Sequence, residues 1–424
     1  MKMKSGDRQK NTLRQLLKRG VRIPCPESVE IGNDIDPERI SGEGVTIHAG
    51  CKIYGPETLI LPGAKVGYEA PATIQNCQLG RNVDLKGGFF YNSCFLDGAS
   101  MASCAQVREA CLLEEGARGA HTVGLKHTIL LPFVTLGSLV NFCDCLMSGG
   151  TDKNNHSEVG SSYIHFNYTP NQDKATASLI GDVPNGVMIN QPPVFLGGQG
   201  GMVGPVRIGY GTVIAAGTIV RKDMLESDRI LLGHTSLSKT MSFHKGLYTN
   251  VERIITLNVI YISNLIALRR WYLDVRFMFV NNIPMDKALL EGAVNKLDKA
   301  ISERLKRFGE VAKKMPESIV LYRKITSNNA SKTFIQKKQG FFDRWPDIER
   351  ALKNGLSLVG DLSKREAFFS IIENAIRKRG KDYLKVIKGL KKTESSLGTN
   401  WLQGLVNEIS SNTWEIIPGR LSKK

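Results

Sequence analysis

Residues 77–119, CQLGRNVDLKGGFFYNSCFLDGASMASCAQVREACLLEEGARG, place an apolar side chain at nearly every sixth position. The same phase extends from Val29 to Leu131, where thirteen of eighteen positions are Val, Ile, Leu, Phe or Met. This period matches neither the ~3.6 residues of a helical turn nor the ~2 residues of a strand. It is typical of short strands joined by tight turns, with three strands forming a coil of ~18 residues around a prism-shaped core. We therefore predict a β-solenoid with one unbroken phase and no insertion across residues 65–77.

The repeat returns later in the chain in a different phase. Apolar residues again occur six apart from Leu196 to Val220. The stretch between the two runs, 148–176, is polar, and we expect it to leave the coil as a loop. The 42 glycines lie mostly before residue 240, where tight turns need backbone conformations that other residues rarely adopt.

The second half of the chain predicts helices. Apolar side chains between Val251 and Leu268 recur at steps of three and four residues, as one face of a helix requires. Four further amphipathic stretches are predicted, at 285–313, 347–358, 363–378 and 381–391. The predicted breaks are Gly292, Gly355, Gly360, Gly380 and Gly398. The chain thus divides into a basic, helical N-terminal segment (1–24), a β-helix of hexapeptide repeats (25–236) and a mostly α-helical C-terminal domain (237–424).

Charge is distributed unevenly along the chain, whose formal net charge is +17. Residues 241–424 hold 34 basic and 18 acidic side chains, whereas residues 23–240 hold 15 and 21. A basic helical domain predicts an anionic partner, which could be lipid, a CoA phosphate, a nucleotide sugar or another subunit. No specific nucleic-acid-binding motif is recognisable.

The sequence predicts a cytoplasmic protein that does not span a membrane. The basic segment from Met1 to Arg22 lacks the apolar stretch of a secretory signal. The longest apolar run, from Ile254 to Leu268, is shorter than the ~20 residues of a membrane span and favours a buried or interfacial helix. The eight cysteines have irregular spacings and are interpreted as reduced thiols.

Residues 159–223 carry a resemblance to a known family. The pieces that match are FNY (166–168), SLIGD (178–182), VGPV (203–206) and IGYGTVIAAGTIVRKD (208–223). They resemble the acetyltransferase domain of the bacterial bifunctional N-acetylglucosamine-1-phosphate uridyltransferase and glucosamine-1-phosphate acetyltransferase, within the hexapeptide-repeat acyltransferases. The resemblance implies a left-handed parallel β-helix and a homotrimer that binds acetyl-CoA between adjacent subunits.

The resemblance also implies site residues. His156 is the position that matches the family's general base. Asn167 and Tyr168 match the pair beside the acyl thioester. Gly198, where the family has a serine, and Ala216, the second alanine of IAAG, match positions that line the coenzyme groove.

Two departures from the family concern the acceptor. Residues 130–150, LLPFVTLGSLVNFCDCLMSGG, contain no basic residue where the family's arginine and lysine hold the sugar phosphate. The glycine-rich nucleotide loop of the uridyltransferase domain is absent from this sequence as well. We therefore expect no nucleotidyl transfer, and the acceptor stays open between an amino sugar phosphate, a nucleotide sugar and a related amine.

Three other histidines are alternative candidates for a catalytic base or a metal site. His165, in the strand-like IHFNY, is a competing base, although an alternating strand pattern favours a hydrogen-bonded structural histidine. His121 and His127 lie six residues apart, at equivalent repeat positions, which could suit an interfacial zinc site. The sequence offers no third ligand at matching spacing, so we predict no metal.

Two functions of different class remain. The first is a CoA-dependent acyltransferase of nucleotide-sugar metabolism that acetylates an amino sugar or related amine. The second is a non-catalytic trimeric scaffold whose basic helical domain binds an anionic partner. Both need self-association, since an exposed β-helix face carrying Phe89, Phe90 and Phe95 would be an apolar liability in a monomer.

Overall fold

The computed structural model describes residues 5–233, 240–281, 283–326 and 330–417. After a helix at Ser5–Lys18, the chain winds into a parallel β-solenoid of triangular cross-section, and a helical domain follows it. The fold class predicted from the repeat is therefore confirmed. The proposed boundary between residues 236 and 237 falls on 234–239, outside the described residues, as do parts of the outermost segments, 1–4 and 418–424.

The solenoid has three faces, each a ladder of parallel strands. Face 1 consists of Glu30–Ile31, Lys52–Tyr54, Ala72–Gln75, Gly88–Tyr91, Ala105–Arg108, Ile164–Phe166, Gly201–Val203 and Ile219–Val220. Face 2 consists of Leu59–Ile60, Gln78–Leu79, Ser93–Phe95, Cys111–Leu113, Ser178–Ile180 and Arg207–Ile208. The long strands Gly124–Leu130 and Asn141–Met147 bend from face 1 into face 2. Face 3 consists of Thr46–Ile47, Lys65–Val66, Asp84–Leu85, Ser100–Met101, Arg118–Gly119, Thr135–Leu136, Glu158–Val159, Phe195–Leu196, Val213–Ile214 and Ile230–Leu231.

The repeat is not in one unbroken phase. Lys52 pairs with Thr73, and Thr73 pairs with Phe89, so one coil is longer than eighteen residues and the next is shorter. The extra residues form a turn in which the N–H groups of Glu69 and Ala70 both donate to the Lys86 carbonyl oxygen. The prediction of no insertion across 65–77 was wrong, because one longer coil is followed by two shorter ones and the phase returns only after the third coil.

The phenylalanines do not form an exposed face. Phe90 and Phe95 are fully buried inside the solenoid and pack edge to face, with ring centroids 5.7 Å apart. Phe89 points outward but is partly covered, with the Arg108 guanidinium 5.2 Å from its ring centroid. The predicted apolar liability at these three residues was therefore wrong, since two of them fill the core.

The corners between faces stack in columns of left-handed backbone. We call them corner 1–2, corner 2–3 and corner 3–1 after the faces that they join. At corner 1–2, successive coils each place one non-glycine residue at positive φ: Asn76, Asn92, Ala110, His127 and Asp144. Side chains at such a corner project away from the core, so this column is a place where polar groups from adjacent coils meet.

The C-terminal domain is helical. The N-terminal helix Ser5–Lys18 is α1, and the short helix Val183–Gly186 within the solenoid is α2. The helices of the C-terminal domain are α3 (Val251–Asp274), α4 (Pro284–Lys313), α5 (Met315–Thr326), α6 (Lys332–Asp343), α7 (Trp345–Asn354), α8 (Leu362–Arg379), α9 (Tyr383–Lys388) and α10 (Lys392–Trp414). Short 3₁₀ turns lie at Pro26–Ser28, Pro37–Arg39, Arg276–Phe279 and Gly355–Ser357.

Two glycines predicted as breaks lie inside helices instead. Gly292 is in α4, where a Cβ would come within 2.6 Å of the Gln78 side chain of the solenoid. Gly398 is in α10, where a Cβ would meet Met188 and Phe368 at 2.6 Å. Both glycines therefore permit close packing of a helix rather than ending it. Gly380, at φ +80°, does end α8.

The outer surface of face 2 is apolar and is covered by the helical domain. Its outward residues, among them Leu59, Leu112, Ile129 and Leu179, are at most 2% exposed and form one core with α3 and α4. This core is separate from the one inside the solenoid. Burial of apolar area at ~25 cal/mol per Å² makes this contact the main attachment of the helical domain.

Helix α3 is the central helix of that domain. The segment Val251–Phe279 is long and apolar enough to cross a membrane, but 72% of its most apolar window is buried within the protein. Trp271 and Tyr272 on this helix are fully covered. The burial explains its composition as that of a core helix.

Buried charges connect the solenoid to the helical domain beside this core. Arg276 forms an ion pair with Glu115, and its guanidinium lies 3.7 Å from the ring centroid of Tyr383. The Tyr272 hydroxyl donates to Glu114 at 2.6 Å. Burial raises the pKa of Glu114 to about 7, against the opposing charge of Arg276.

The raised pKa of Glu114 gives the first testable prediction. A carboxyl whose folded pKa lies above its ordinary value of 4.5 binds more protons in the folded state, so stability falls as pH rises from about 4.5 to about 7. We expect Glu114→Gln to remove this slope, an effect on the order of 3 kcal/mol between pH 5 and pH 8. Urea unfolding at both pH values measures it. Glu310→Gln, at a partly exposed ion pair on α4, should leave the slope intact, and an unchanged slope in Glu114→Gln would refute the assignment.

Candidate functional site

The predicted site residues lie at three different corners of one subunit. His156 is at corner 2–3, in the hairpin formed by Gly150–Asp152 and Asn155–His156. Asn167 and Tyr168 are at corner 1–2, where the chain leaves the strand Ile164–Phe166. Gly198 and Ala216 are at corner 3–1, on adjacent coils. A single subunit therefore does not bring these residues into one pocket.

His156 is partly covered at the end of its hairpin. Its Nε2 lies 3.8 Å from a carboxylate oxygen of Glu158, and its side chain is 15% exposed. The hairpin approaches the helical domain, since Lys388 Nζ lies 4.0 Å from Asp152. The arrangement gives His156 an acidic neighbour and access to solvent.

His165 lies inside the solenoid and is inaccessible. Its Nε2 is 2.8 Å from the Ser178 hydroxyl, and its Nδ1 contacts Cys145 and the Cys143 carbonyl. Burial lowers the pKa of His165 to about 4, so the ring is neutral near pH 7. These contacts are those of a hydrogen-bonded core histidine.

Asn167 and Tyr168 begin the loop at corner 1–2. The Asn167 side-chain amide donates to Asp144 at 2.7 Å. Tyr168 is exposed, with Lys174 Nζ 5.8 Å from its ring centroid. The amide is thus oriented by a buried carboxylate, whereas the phenol is free to contact a ligand.

Gly198 and Ala216 lie where adjacent coils approach closely. A Cβ at Gly198 would lie 2.8 Å from the Ser161 carbonyl oxygen, and one at Gly197 would lie 2.4 Å from the Ala216 amide nitrogen. Ala216 itself is exposed. The corner therefore presents open backbone, and the coil below leaves little room for the serine that the family has at Gly198.

Exposed apolar residues flank corner 3–1 on both sides. On face 3 the outward row continues from Glu158 into three apolar residues that pair in register: Phe195, Val213 and Ile230. On face 1 the exposed apolar residues of the same coils are Ile164, Phe166 and Ile219. Lower coils carry polar outward residues on face 3: Lys65, Asp84, Ser100, Arg118 and Thr135. These six residues thus lie on the coils that hold Gly198 and Ala216 and on the coils directly below and above them.

Two basic residues that sequence reasoning missed lie on face 1. Arg108 and Lys126 pair in register on adjacent coils, and Cys143 pairs with Lys126 on the coil above. Lys126 Nζ is 3.1 Å from Glu109. Residues 130–150 indeed lack a basic residue, but the coils just before them supply two. The six-residue spacing did not reveal this pair, because the spacing marks the side chains that point inward, whereas Arg108 and Lys126 point outward.

A buried carboxylate joins corner 1–2 to the helical domain. Asp144 and Arg304 of α4, each 2% exposed, form an ion pair at 2.5 Å. Arg304 also donates to the Lys174 carbonyl oxygen at 3.0 Å. Burial disfavours the charge on Asp144, but Arg304, His127 and Asn167 together hold its pKa to about 2. No pattern in the sequence indicates this pair, because the partners belong to different domains.

The two candidate zinc ligands do not face each other. His121 is at corner 3–1, where its Nδ1 lies 3.0 Å from the Ser138 hydroxyl. His127 is at corner 1–2 of the same coil. Within the described residues no three His, Cys, Asp or Glu side chains are grouped as metal ligands would be.

Comparison with known proteins agrees with the solenoid. No family model matches the chain. Two curated relatives are both named "Bifunctional protein GlmU". The protein of Thermotoga petrophila is 26% identical over 220 residues, which are 50% of this chain and 42% of the relative. That of Pelobacter propionicus is 28% identical over 212 residues, which are 50% of this chain and 41% of the relative. The matched region thus spans less than half the length of these relatives.

The fold and these matches indicate what the chain is similar to. The solenoid resembles that of the hexapeptide-repeat acyltransferases. In particular, half of the chain resembles the acetyltransferase domain of GlmU.

The Asp144–Arg304 pair gives a second prediction. Arg304→Ala leaves a buried carboxylate without its cation, and we expect it to lower the free energy of unfolding by about 3–5 kcal/mol. Arg307→Ala removes partly exposed ion pairs with Glu303 and Glu310 on the same helix and should cost less than about 1 kcal/mol. Chemical denaturation of both variants provides the comparison. Equal losses of unfolding free energy in the two variants would show that Arg304 does not stabilise the buried Asp144 carboxylate.

Proposed function

We propose that this protein is a CoA-dependent acyltransferase that moves an acetyl group from acetyl-CoA to an amino group of a small acceptor. The observation that carries the proposal is the open corner at Gly198 and Ala216, flanked by apolar surface and belonging to a solenoid that resembles the GlmU acetyltransferase domain. Acetyl-CoA would lie along that corner, with its thioester near Asn167 and Tyr168. The Asn167 amide, held by Asp144, would donate to the thioester oxygen as negative charge develops.

The site would be completed by a second copy of the chain. Because Ala216 and Asn167 lie at different corners, one groove can contain both only when two subunits contribute. The apolar rows beside corner 3–1 support such contacts, since apolar surface of this kind marks interaction sites. A closed homotrimer satisfies the geometry, because each subunit would give one corner to each neighbour.

The acceptor would be an anion. Arg108 and Lys126 stack on the face that leads to Asn167, and guanidinium and ammonium groups suit phosphate oxygens. This pair supports an amino sugar phosphate or a nucleotide sugar as the acceptor class. All eight cysteines are free thiols, which supports a reducing compartment, and we place the reaction in the cytoplasm.

A second candidate function has its own observation. Eight basic side chains between α8 and the start of α10 are exposed: Arg377, Lys378, Arg379, Lys381, Lys385, Lys388, Lys391 and Lys392. The surface supports binding of an anionic partner by a trimeric, non-catalytic scaffold.

Acetyl-CoA affinity distinguishes the two functions. We expect calorimetric titration to show binding, and Asn167→Ala to weaken it about 5–10-fold through loss of one hydrogen bond. Asn400→Ala, an exposed position on α10, should bind like the unchanged protein. If acetyl-CoA does not bind, the resemblance concerns architecture alone and the scaffold function is favoured.

Assembly gives a further prediction. Phe195→Glu combined with Val213→Glu puts charges into the apolar row, and we expect sedimentation at micromolar concentration to change from trimer to monomer. Ser100→Glu adds a charge to the polar part of the same outward row and should remain trimeric. A stable monomer of the unchanged protein would contradict both the trimer and a groove shared between subunits.

A further inference from the structure

The segment 377–392 forms a strongly basic surface outside the candidate site. It holds eight basic residues and a single acidic one, Asp382, within sixteen positions. It comprises the last turn of α8, the whole of α9 and the start of α10. All eight basic side chains are exposed, and together we call them the basic surface: Arg377, Lys378, Arg379, Lys381, Lys385, Lys388, Lys391 and Lys392.

Most charges of the basic surface are not neutralised by the protein itself. Arg377 lies 3.8 Å from Glu373, and Lys388 lies 4.0 Å from Asp152. The other six basic residues form no ion pair with a described residue. On α7, by contrast, both basic residues pair with a carboxylate one turn away. The basic surface therefore differs from an ordinary solvated helix face, on which opposite charges pair along the helix.

Helix stability does not account for the cations at the start of α10. Lys391 is the N-cap of this helix, and Lys392 is its first residue. The N-terminus of a helix carries a partial positive charge, so cations are unfavourable there, although they are favourable in the last turn of α8. Glu394 is the one acidic residue in the first turn of α10. Two lysines at a positive helix end thus reduce stability, and a bound anion would offset that cost.

The charges of the basic surface do not converge on one cleft. Two clefts border the surface, and each contains one of its eight cations. The first measures ≈ 450 Å³ and contains Lys381 together with four carboxylates. The second measures ≈ 440 Å³ and contains Lys392 among neutral amides and hydroxyls. A single small phosphate in either cleft would contact few of the cations, whereas many phosphates side by side would engage them all.

The apolar side chains of the same segment are turned inward. Tyr383, Val386 and Ile387 of α9 are at most 8% exposed. The Tyr383 ring lies against the Arg276 guanidinium, and its hydroxyl accepts a hydrogen bond from Trp271 at 3.1 Å. Single-stranded nucleic acid stacks its bases on exposed aromatic rings, and this segment presents none. The surface thus favours a plane of phosphates that is met through charge alone, as on an anionic bilayer.

We propose that the basic surface docks the protein on the anionic face of a phospholipid bilayer, without inserting a segment into the hydrocarbon. The inference rests on the second candidate function, whose anionic partner it names, and it does not require acetyl transfer. Lysine and arginine attract the lipid headgroups over about one Debye length, ~10 Å at 0.1 M salt. Because the helical domain lies on face 2, docking leaves the opposite corner, 3–1, uncovered.

The test measures co-sedimentation of the full chain with lipid vesicles. Vesicles of mixed phosphatidylcholine and phosphatidylglycerol should bind the protein at ~0.1 M salt and release it at ~1 M, because salt screens the attraction. Vesicles of phosphatidylcholine alone should not bind it. The triple variant Lys378→Gln, Lys385→Gln, Lys392→Gln removes one charge from each of the three helices. We expect its affinity for the mixed vesicles to fall about 100-fold.

A matched control removes the same charge elsewhere in the helical domain. The triple variant Lys287→Gln, Arg350→Gln, Lys353→Gln changes exposed residues of α4 and α7 and should bind the mixed vesicles like the unchanged protein. Both variants should fold, since all six side chains are exposed. Loss of the Lys392 charge also relieves repulsion at the start of α10, so the unfolding midpoint of the first variant should not fall.

Three results would overturn the docking surface. They are failure of the unchanged protein to bind the mixed vesicles, equal losses of vesicle affinity in the two triple variants, and tighter binding to mixed-sequence duplex DNA than to vesicles at equal phosphate concentration. Calorimetric titration with acetyl-CoA separates these results from the acyltransferase proposal. The first variant should bind acetyl-CoA like the unchanged protein. Absence of acetyl-CoA binding with vesicle binding intact would reject the acyltransferase and support docking by a scaffold.

Discussion

The apolar outer surface of face 2 is the constraint on which the remaining structure depends. A solenoid normally buries one inward side chain per strand and leaves outward positions polar. Here Leu59, Leu112 and Ile129 point outward and would be exposed without α3 and α4. Covering them fixes the helical domain to one side of the solenoid. Faces 1 and 3, with corner 3–1 between them, remain available for self-association, and Tyr168 stays exposed at the edge of corner 1–2.

The same attachment explains how a helical residue reaches a solenoid corner. Helix α4 runs along face 2 and contacts its strands, with Gly292 permitting close approach at Gln78. Three turns further on, Arg304 meets Asp144 at corner 1–2. The cation keeps Asp144 ionised in spite of burial, and the ionised carboxylate in turn orients both Asn167 and His127. The helical domain therefore acts on the candidate site through this ion pair and through hydrogen bonds to the loop that follows Tyr168, such as that from Arg304 to the Lys174 carbonyl oxygen.

The sequence predicted the solenoid because a six-residue apolar period has a single common physical origin, an inward side chain from each short strand. It could not predict the coil lengths around Glu69, because one longer coil followed by two shorter ones leaves the later phase unchanged. Nor could it assign the roles of Gly292 and Gly398, since in the sequence a glycine that permits close helix packing cannot be distinguished from one that ends a helix. The grouping of His127, Asp144 and Arg304 depends on corner stacking and domain packing, which leave no periodic signal.

The charge imbalance between the two halves has a partly internal explanation. The basic helical half meets the mildly acidic solenoid in ion pairs that join the domains: Arg253–Asp223, Arg276–Glu115, Lys296–Glu57, Arg304–Asp144 and Lys388–Asp152. These pairs use some of the positive charge to orient the domain on its face. Most basic side chains of 377–392 do not take part in such pairs between the domains. They are exposed and have few acidic neighbours within the described residues. An anionic partner, should one bind, would therefore be attracted to this segment rather than to the helical half as a whole.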